Sequence, residues 1–254
     1  LNSNETHLEM CAHPVLKYSK TSAESFIANS VHIGGTTPAI HLVTGPNMAG
    51  KSTLMRTVAL NQILFQMGSY VCAASASFGV ADKILSRIGS ADHAAKNQST
   101  FMVEMLEMAH ILRLATPMSL LLLDEIGRGT STYDGLSLAL ALIEDLHDTL
   151  QPRTFFSTHY HELVLATEGK NGITPMHMQV ILEKEEQETK LIFSRKYLPG
   201  AAKQSYGLNV AALAGLPPRV VKRASEVLAK LEKDKSNSPK KRISLEDPAD
   251  STLF

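Results

Sequence analysis

The sequence predicts an α/β fold built on a mostly parallel sheet, and three features predict it. An apolar run, Ala39 to Val43, leads into Gly45-Pro46-Asn47-Met48-Ala49-Gly50-Lys51-Ser52-Thr53, and helical periodicity follows at once. Ser119 to Leu123 is an unbroken apolar run ending in Asp124-Glu125, as expected of a strand buried on both faces. Strand-like and helix-like segments then alternate, which places ligands at the carboxyl ends of the strands.

Residues 1–38 are irregular and punctuated by Gly34-Gly35 and Pro38, so we expect a lead-in with one or two short strands. After the glycine-rich loop, Leu54, Val58, Ile63, Leu64 and Met67 recur at near-helical spacing until Gly68. A second helix is expected over about 100–115, with Phe101, Met105, Met108, Leu112 and Ala115 on its apolar face and Glu104, Glu107, His110 and Arg113 on another. The strand 119–123 comes next, then a helix over about 134–150, a short strand over 154–158 and a hairpin around 176–198. Beyond Gly200 the pattern is purely helical: Tyr206 to Ala214, then a helix opened by Pro217-Pro218 and running to about Glu232. These two helices, joined at Gly215, resemble a helix-turn-helix that serves either to read DNA or as a packing element. Residues 233–254 are rich in lysine, serine, proline and acids and are expected to be disordered. The division expected is therefore 1–199, 200–232 and 233–254.

With 254 residues, 44% apolar and 20% charged, the composition is that of a globular protein with a full core. Twenty-five basic residues balance 25 acidic ones, so no chain-wide positive field invites nucleic acid or anionic membrane. Cys11 and Cys72 form no ligand or disulfide framework, which suits a reducing, cytoplasmic location and packing roles. No 18-residue apolar run or leader is present, so no membrane partner is expected. The opening leucine suggests a piece of something longer.

The loop from Gly45 to Thr53 fills the phosphate-cradling pattern G-x-x-x-x-G-K-[ST]. Glycine at both ends permits positive φ and lets main-chain N–H groups crowd toward a β-phosphate at the positive end of the following helix. Lys51 would neutralise β/γ oxygens and Ser52 would hold Mg²⁺. Asp124 supplies a second Mg²⁺ ligand, direct or through water, and Glu125 a carboxylate to orient an attacking water. His159, just after the strand 154–158, is placed to sense the γ-phosphate or polarise that water. His159 and His161 lie two apart, with no third ligand nearby to make a zinc site.

Four segments carry a resemblance beyond the phosphate loop: Thr44 to Thr53, Ser99-Thr100-Phe101-Met102-Val103-Glu104-Met105, Asp124 through Gly135, and Thr158-His159-Tyr160-His161-Glu162-Leu163. In order and spacing they resemble the ATPase domain of the MutS family of DNA mismatch-repair proteins, over about residues 10–232, and Ser205 to Ala211 continues the likeness into the family's dimer-locking helices. The resemblance implies a P-loop NTPase of ATP-binding-cassette type that uses ATP and Mg²⁺, with two nucleotide sites lying between the subunits of a homodimer. It places Ser99 at the start of a helix facing the partner's γ-phosphate, in a role compatible with a plain N-cap. The Arg128 to Gly135 loop would cross the same interface, with Thr130 and Ser131 communicating between sites. Asn47 would order the γ-phosphate or the water. Phe26 and Arg195 would contact the nucleobase, the arginine in a slot the family more often fills with tyrosine or histidine. Ala49 stands where many relatives have glycine, harmless if its φ is negative, and Asn97-Gln98 replace the usual Gly-Arg.

The function implied is an ATP-driven module of a mismatch-recognition protein, acting on mismatched double-stranded DNA through domains absent from this chain and with a MutL-type repair partner. Two rivals stay open: a relative acting on branched or recombination DNA, and an interaction module that uses nucleotide only to lock a dimer. Asp250-Ser251-Thr252-Leu253-Phe254 resembles a degenerate sliding-clamp peptide or is a meaningless terminus. Lys240-Lys241-Arg242 is a solvated run or a contact to DNA backbone.

Overall fold

The computed structural model describes residues 4–19, 26–35, 39–89, 99–185, 188–202 and 206–237. The expectations for Asn97-Gln98, for Lys240-Lys241-Arg242 and for the terminal peptide lie outside the described residues. The chain divides into two compact units, Leu1–Ser205 and Tyr206–Phe254.

In the first unit a small antiparallel sheet is formed by β1 (Thr6–Cys11), β2 (Asn29–Ile33) and β4 (Ser75–Ser77), in the order β2-β1-β4. The main sheet contains β3 (Ala39–Thr44), β5 (Ile84–Arg87), β6 (Leu120–Asp124), β7 (Arg153–Ser157), β8 (Ile173–Glu185) and β9 (Glu188–Pro199), in the order β5-β6-β7-β3-β8-β9. All neighbours are parallel except β9, which returns antiparallel on β8 as the expected hairpin. The two short strands β4 and β5 are additions to what the sequence predicts; β4 is exposed along its length, so it carries no burial pattern to read.

The four leucines of β6 show why the central strands read as unbroken apolar runs. Leu120 and Leu122 join a core with α1 (Lys51–Gln66) and the small sheet. Leu121 and Leu123 join a second core with α2 (Thr100–Leu114), α3 (Thr132–Asp145) and α4 (His161–Ala166). Both faces are covered by helices, so period-two alternation has no polar phase. Arg153 is wholly buried at the start of β7 and ties it to β1 and the 79–80 loop, donating to Thr6 Oγ1 (2.7 Å), Gly79 O (3.0 Å) and Val80 O (3.0 Å).

Three details correct the sequence expectations. The third helix does not run as a single α-helix to Leu150: it ends at Asp145 and continues as a π-helical turn over Leu146–Leu150. Glu104 does not lie on a face apart from Met108 but is buried with Met108 and Ile111, only 6% exposed. In the second unit, α5 (Gly207–Leu213) is followed by α6 (Pro218–Asn237), which extends through 233–237 where disorder is expected. Lys and Asp at 233–235 do not break a helix. Among the described residues, no helix is long and apolar enough to cross a membrane.

Candidate functional site

The site forms where β3, β6 and β7 end side by side. β3 passes into the loop at Gly45, and α1 starts at Lys51 with Gly50 as its N-cap. Gly45 and Gly50 sit at φ 134° and 105°, conformations that favour glycine and bend the loop back on itself. The remaining left-handed position in the loop is Met48 (φ 69°), so Ala49 pays no such cost; its methyl is buried in the core beneath the loop.

Lys51 is enclosed by the loop. Its ammonium donates to Gly45 O (2.6 Å) and Pro46 O (3.2 Å) and lies 3.1 Å from Glu125 Oε1. Glu125 also pairs with Arg128 at 2.5 Å. With the Asn47 amide turned so that its nitrogen faces the carboxylate, Asn47 donates to Glu125 Oε1 (2.9 Å) and accepts from Arg128 (3.3 Å). Glu125 adopts φ 54°, strained for a non-glycine residue, and its N–H is held by Ser157 O (3.1 Å) and Ser157 Oγ (3.2 Å).

Asp124 faces the start of α1. Ser52 Oγ donates to Asp124 Oδ2 at 2.5 Å, and Ser157 Oγ donates to Asp124 Oδ1. A hydroxyl and a carboxylate form an all-oxygen set, the donor chemistry that suits Mg²⁺. His159 follows β7 with an exposed ring. Partial burial, then the positive charge of Arg128, hold its pKa below the usual imidazole value; Glu125 opposes this and Lys51 adds to it. His159 is thus neutral at neutral pH and lies within the field of the Lys51–Glu125–Arg128 cluster.

Phe26 and Arg195, expected to face a nucleobase, line one cavity of about 320 Å³ together with Met48, Gly50 and Thr53. Ser99 makes its contact within its own helix, accepting from Met102 N (3.1 Å) as the N-cap of α2. Ser131 likewise caps α3 through Asp134 N (3.3 Å).

The family model for MutS domain V matches residues 41–232. The chain belongs to the MutS family. It is 49% identical over 239 residues to the DNA mismatch repair protein MutS of Myxococcus xanthus, covering 93% of this chain and 26% of that protein. The proteins of the same description from Caldanaerobacter subterraneus and Rhodopirellula baltica are each 49% identical, over 88% and 89% of this chain and 25% of each of theirs. The chain therefore spans about a quarter of the length of the curated relatives it matches.

Three residues of this MutS-family site escape a reading of the sequence alone. Ser157 is one, since nothing marks a serine inside a strand as a partner for the next strand's aspartate. Glu104 is another: Oε1 accepts Gly127 N at 2.5 Å, while Tyr160 OH donates to Gly127 O at 3.1 Å, so the turn after Glu125 is pinned from both sides. The close crossing of Gly127 and Gly135 completes the turn; a Cβ on Gly127 would lie 2.7 Å from Gly135 O. The third is Asn29, whose amide bonds to the backbone on either side of Lys196. Only the Asp124–Gly135 spacing hinted at any of this, through glycines eight apart.

Proposed function

We propose that this chain is the ATP-binding and ATP-hydrolysing module of a DNA mismatch-repair recognition protein, a P-loop NTPase of ATP-binding-cassette type. The observation that carries the reading is the convergence of Lys51, the Ser52–Asp124 pair and Glu125 at adjacent strand ends. In this reading Lys51 exchanges its loop carbonyls for β/γ-phosphate oxygens, and the loop N–H groups and the start of α1 hold the remaining phosphate charge. Ser52 and Asp124 hold Mg²⁺, which when bound neutralises charge on the phosphate oxygens. Glu125 turns from Lys51 and Arg128 to orient the attacking water, and Asn47 orders the γ-phosphate or that water. Neutral His159 offers a hydrogen bond at the same place. Phe26 and Arg195 take the base between them, the guanidinium by cation–π contact.

Two copies close over two nucleotides, with Ser99 and the 128–135 loop of each reaching the other's site and residues 200–232 locking the pair. In the complete protein, nucleotide state sets the conformation of a clamp on mismatched DNA and engagement of a MutL-type partner. The test measures Mg²⁺-dependent ATP turnover of this chain as a function of its concentration, with light scattering in a nonhydrolysable ATP analogue. Turnover per chain that rises with concentration, and a doubled mass with the analogue, are expected. A chain that fails to bind ATP, or that turns it over without Mg²⁺, contradicts the proposal.

A further inference from the structure

We propose that Asn29 is a positioning residue for the nucleobase subsite, one that fixes both walls of the pocket through a single carboxamide. The inference rests on the nucleotide reading above. The β8–β9 ladder pairs Val180 with Phe193 and Met178 with Tyr197, so Gln179 alone opposes Ser194, Arg195 and Lys196. This bulge aims Arg195 at the cavity and holds it at φ 56°, a conformation costly for any residue with a Cβ. A bulge also deprives backbone groups of ladder partners, which must then be found elsewhere.

Asn29 supplies them. Its Nδ2 donates to Arg195 O at 2.9 Å, and its Oδ1 accepts from Tyr197 N at 2.7 Å. The same Nδ2 lies 3.3 Å from Ile27 O, so the segment that carries Phe26 is tied to the segment that carries Arg195. On the far side Ser194 Oγ bonds Gln179 O (3.0 Å) and Gln179 Oε1 (2.9 Å), closing the bulge. Tyr197 is itself anchored, its hydroxyl 2.8 Å from His41 Nδ1 in the core. Asn29 thus sets the distance between the aromatic and the guanidinium that grip the base, while its own side-chain hydrogen bonds go to Ile27, Arg195 and Tyr197 rather than to the Gly45–Thr53 loop. Aspartate has the same shape but presents an oxygen where Nδ2 now faces two carbonyls.

Equilibrium binding of Mg·ATP and of Mg·tripolyphosphate to wild type, Asn29→Asp, Arg195→Ala and the double variant tests this. The expected result is about a tenfold loss of ATP affinity in Asn29→Asp, unchanged tripolyphosphate affinity, and a further loss well short of additive, through the Phe26 wall alone, when Asn29→Asp is added to Arg195→Ala. Retained tripolyphosphate binding also shows that the variant is folded. Wild-type ATP affinity in Asn29→Asp, parallel loss of both ligands, or additive losses in the double variant would overturn the inference. A wild-type chain that binds tripolyphosphate as tightly as ATP overturns it too, leaving the phosphate site intact. A wild-type chain that binds neither ligand overturns the nucleotide reading itself.

Discussion

The ammonium of Lys51 and the carboxylate of Glu125 lie 3.1 Å apart with their side chains 4% and 14% exposed. One comes from the first turn of α1 and the other from the residue after β6, so the pair joins the Gly45–Thr53 loop to the end of β6. Opposite charges so little solvated interact strongly, and each limits what the other can do until a stronger partner enters.

Lys51→Ala removes the loop's central cation. Charge-assisted hydrogen bonds of this kind are worth roughly ten- to a hundredfold in binding. Isothermal titration with a nonhydrolysable ATP analogue should show a loss of that size, whereas an unchanged affinity would mean that the lysine does not meet phosphate.

Asp124 has one oxygen engaged by Ser52 and the other by Ser157. Removing the Ser157 hydroxyl frees the carboxylate to rotate, and residues that orient a metal ligand commonly govern affinity by 10–100-fold. Ser157→Ala should raise the Mg²⁺ concentration for half-maximal ATP turnover by about tenfold, while Asp124→Ala should abolish Mg²⁺ stimulation. Magnesium titrations of turnover check both.

His41, buried within β3, has its pKa lowered to about 4 by burial, with the nearby His32 adding to the effect. Between that value and the ordinary 6.5, an unfolded chain takes up the proton and the folded one refuses it. Stability contributed by neutral His41 is therefore complete above pH 6.5 and lost as pH falls toward 4, by about 3 kcal/mol in all. Urea denaturation across this window should show a shallower pH slope for His41→Gln than for wild type; equal slopes would assign the acid sensitivity elsewhere.

The sheet and the glycine-rich turn before α1 were legible because their signals are local. Leu120 to Leu123 and Ala39 to Val43 announce buried strands by composition, and the loop glycines by spacing. Glu104 was misread because helical periodicity assigns a face from the helix's own sequence, whereas its acceptor is required by Gly127 N, 23 residues away. Asn29 and the Arg195 bulge depend on a ladder irregularity between β8 and β9, which no pattern in either strand encodes. Phe26 and Arg195 as wall residues came from family resemblance, and the cavity that joins them is lined from segments far apart in the chain, which local patterns do not reveal.

If Glu125 directs hydrolysis at a site assembled by Lys51, Ser52 and Asp124, its removal must slow chemistry without weakening nucleotide binding. Single-turnover measurement of phosphate release from Mg·ATP, comparing wild type with Glu125→Gln at saturating nucleotide, tests it most directly. ATP affinity near that of wild type and release slowed by about 10²- to 10⁴-fold in the variant are expected. Equal release rates in the two proteins would contradict it.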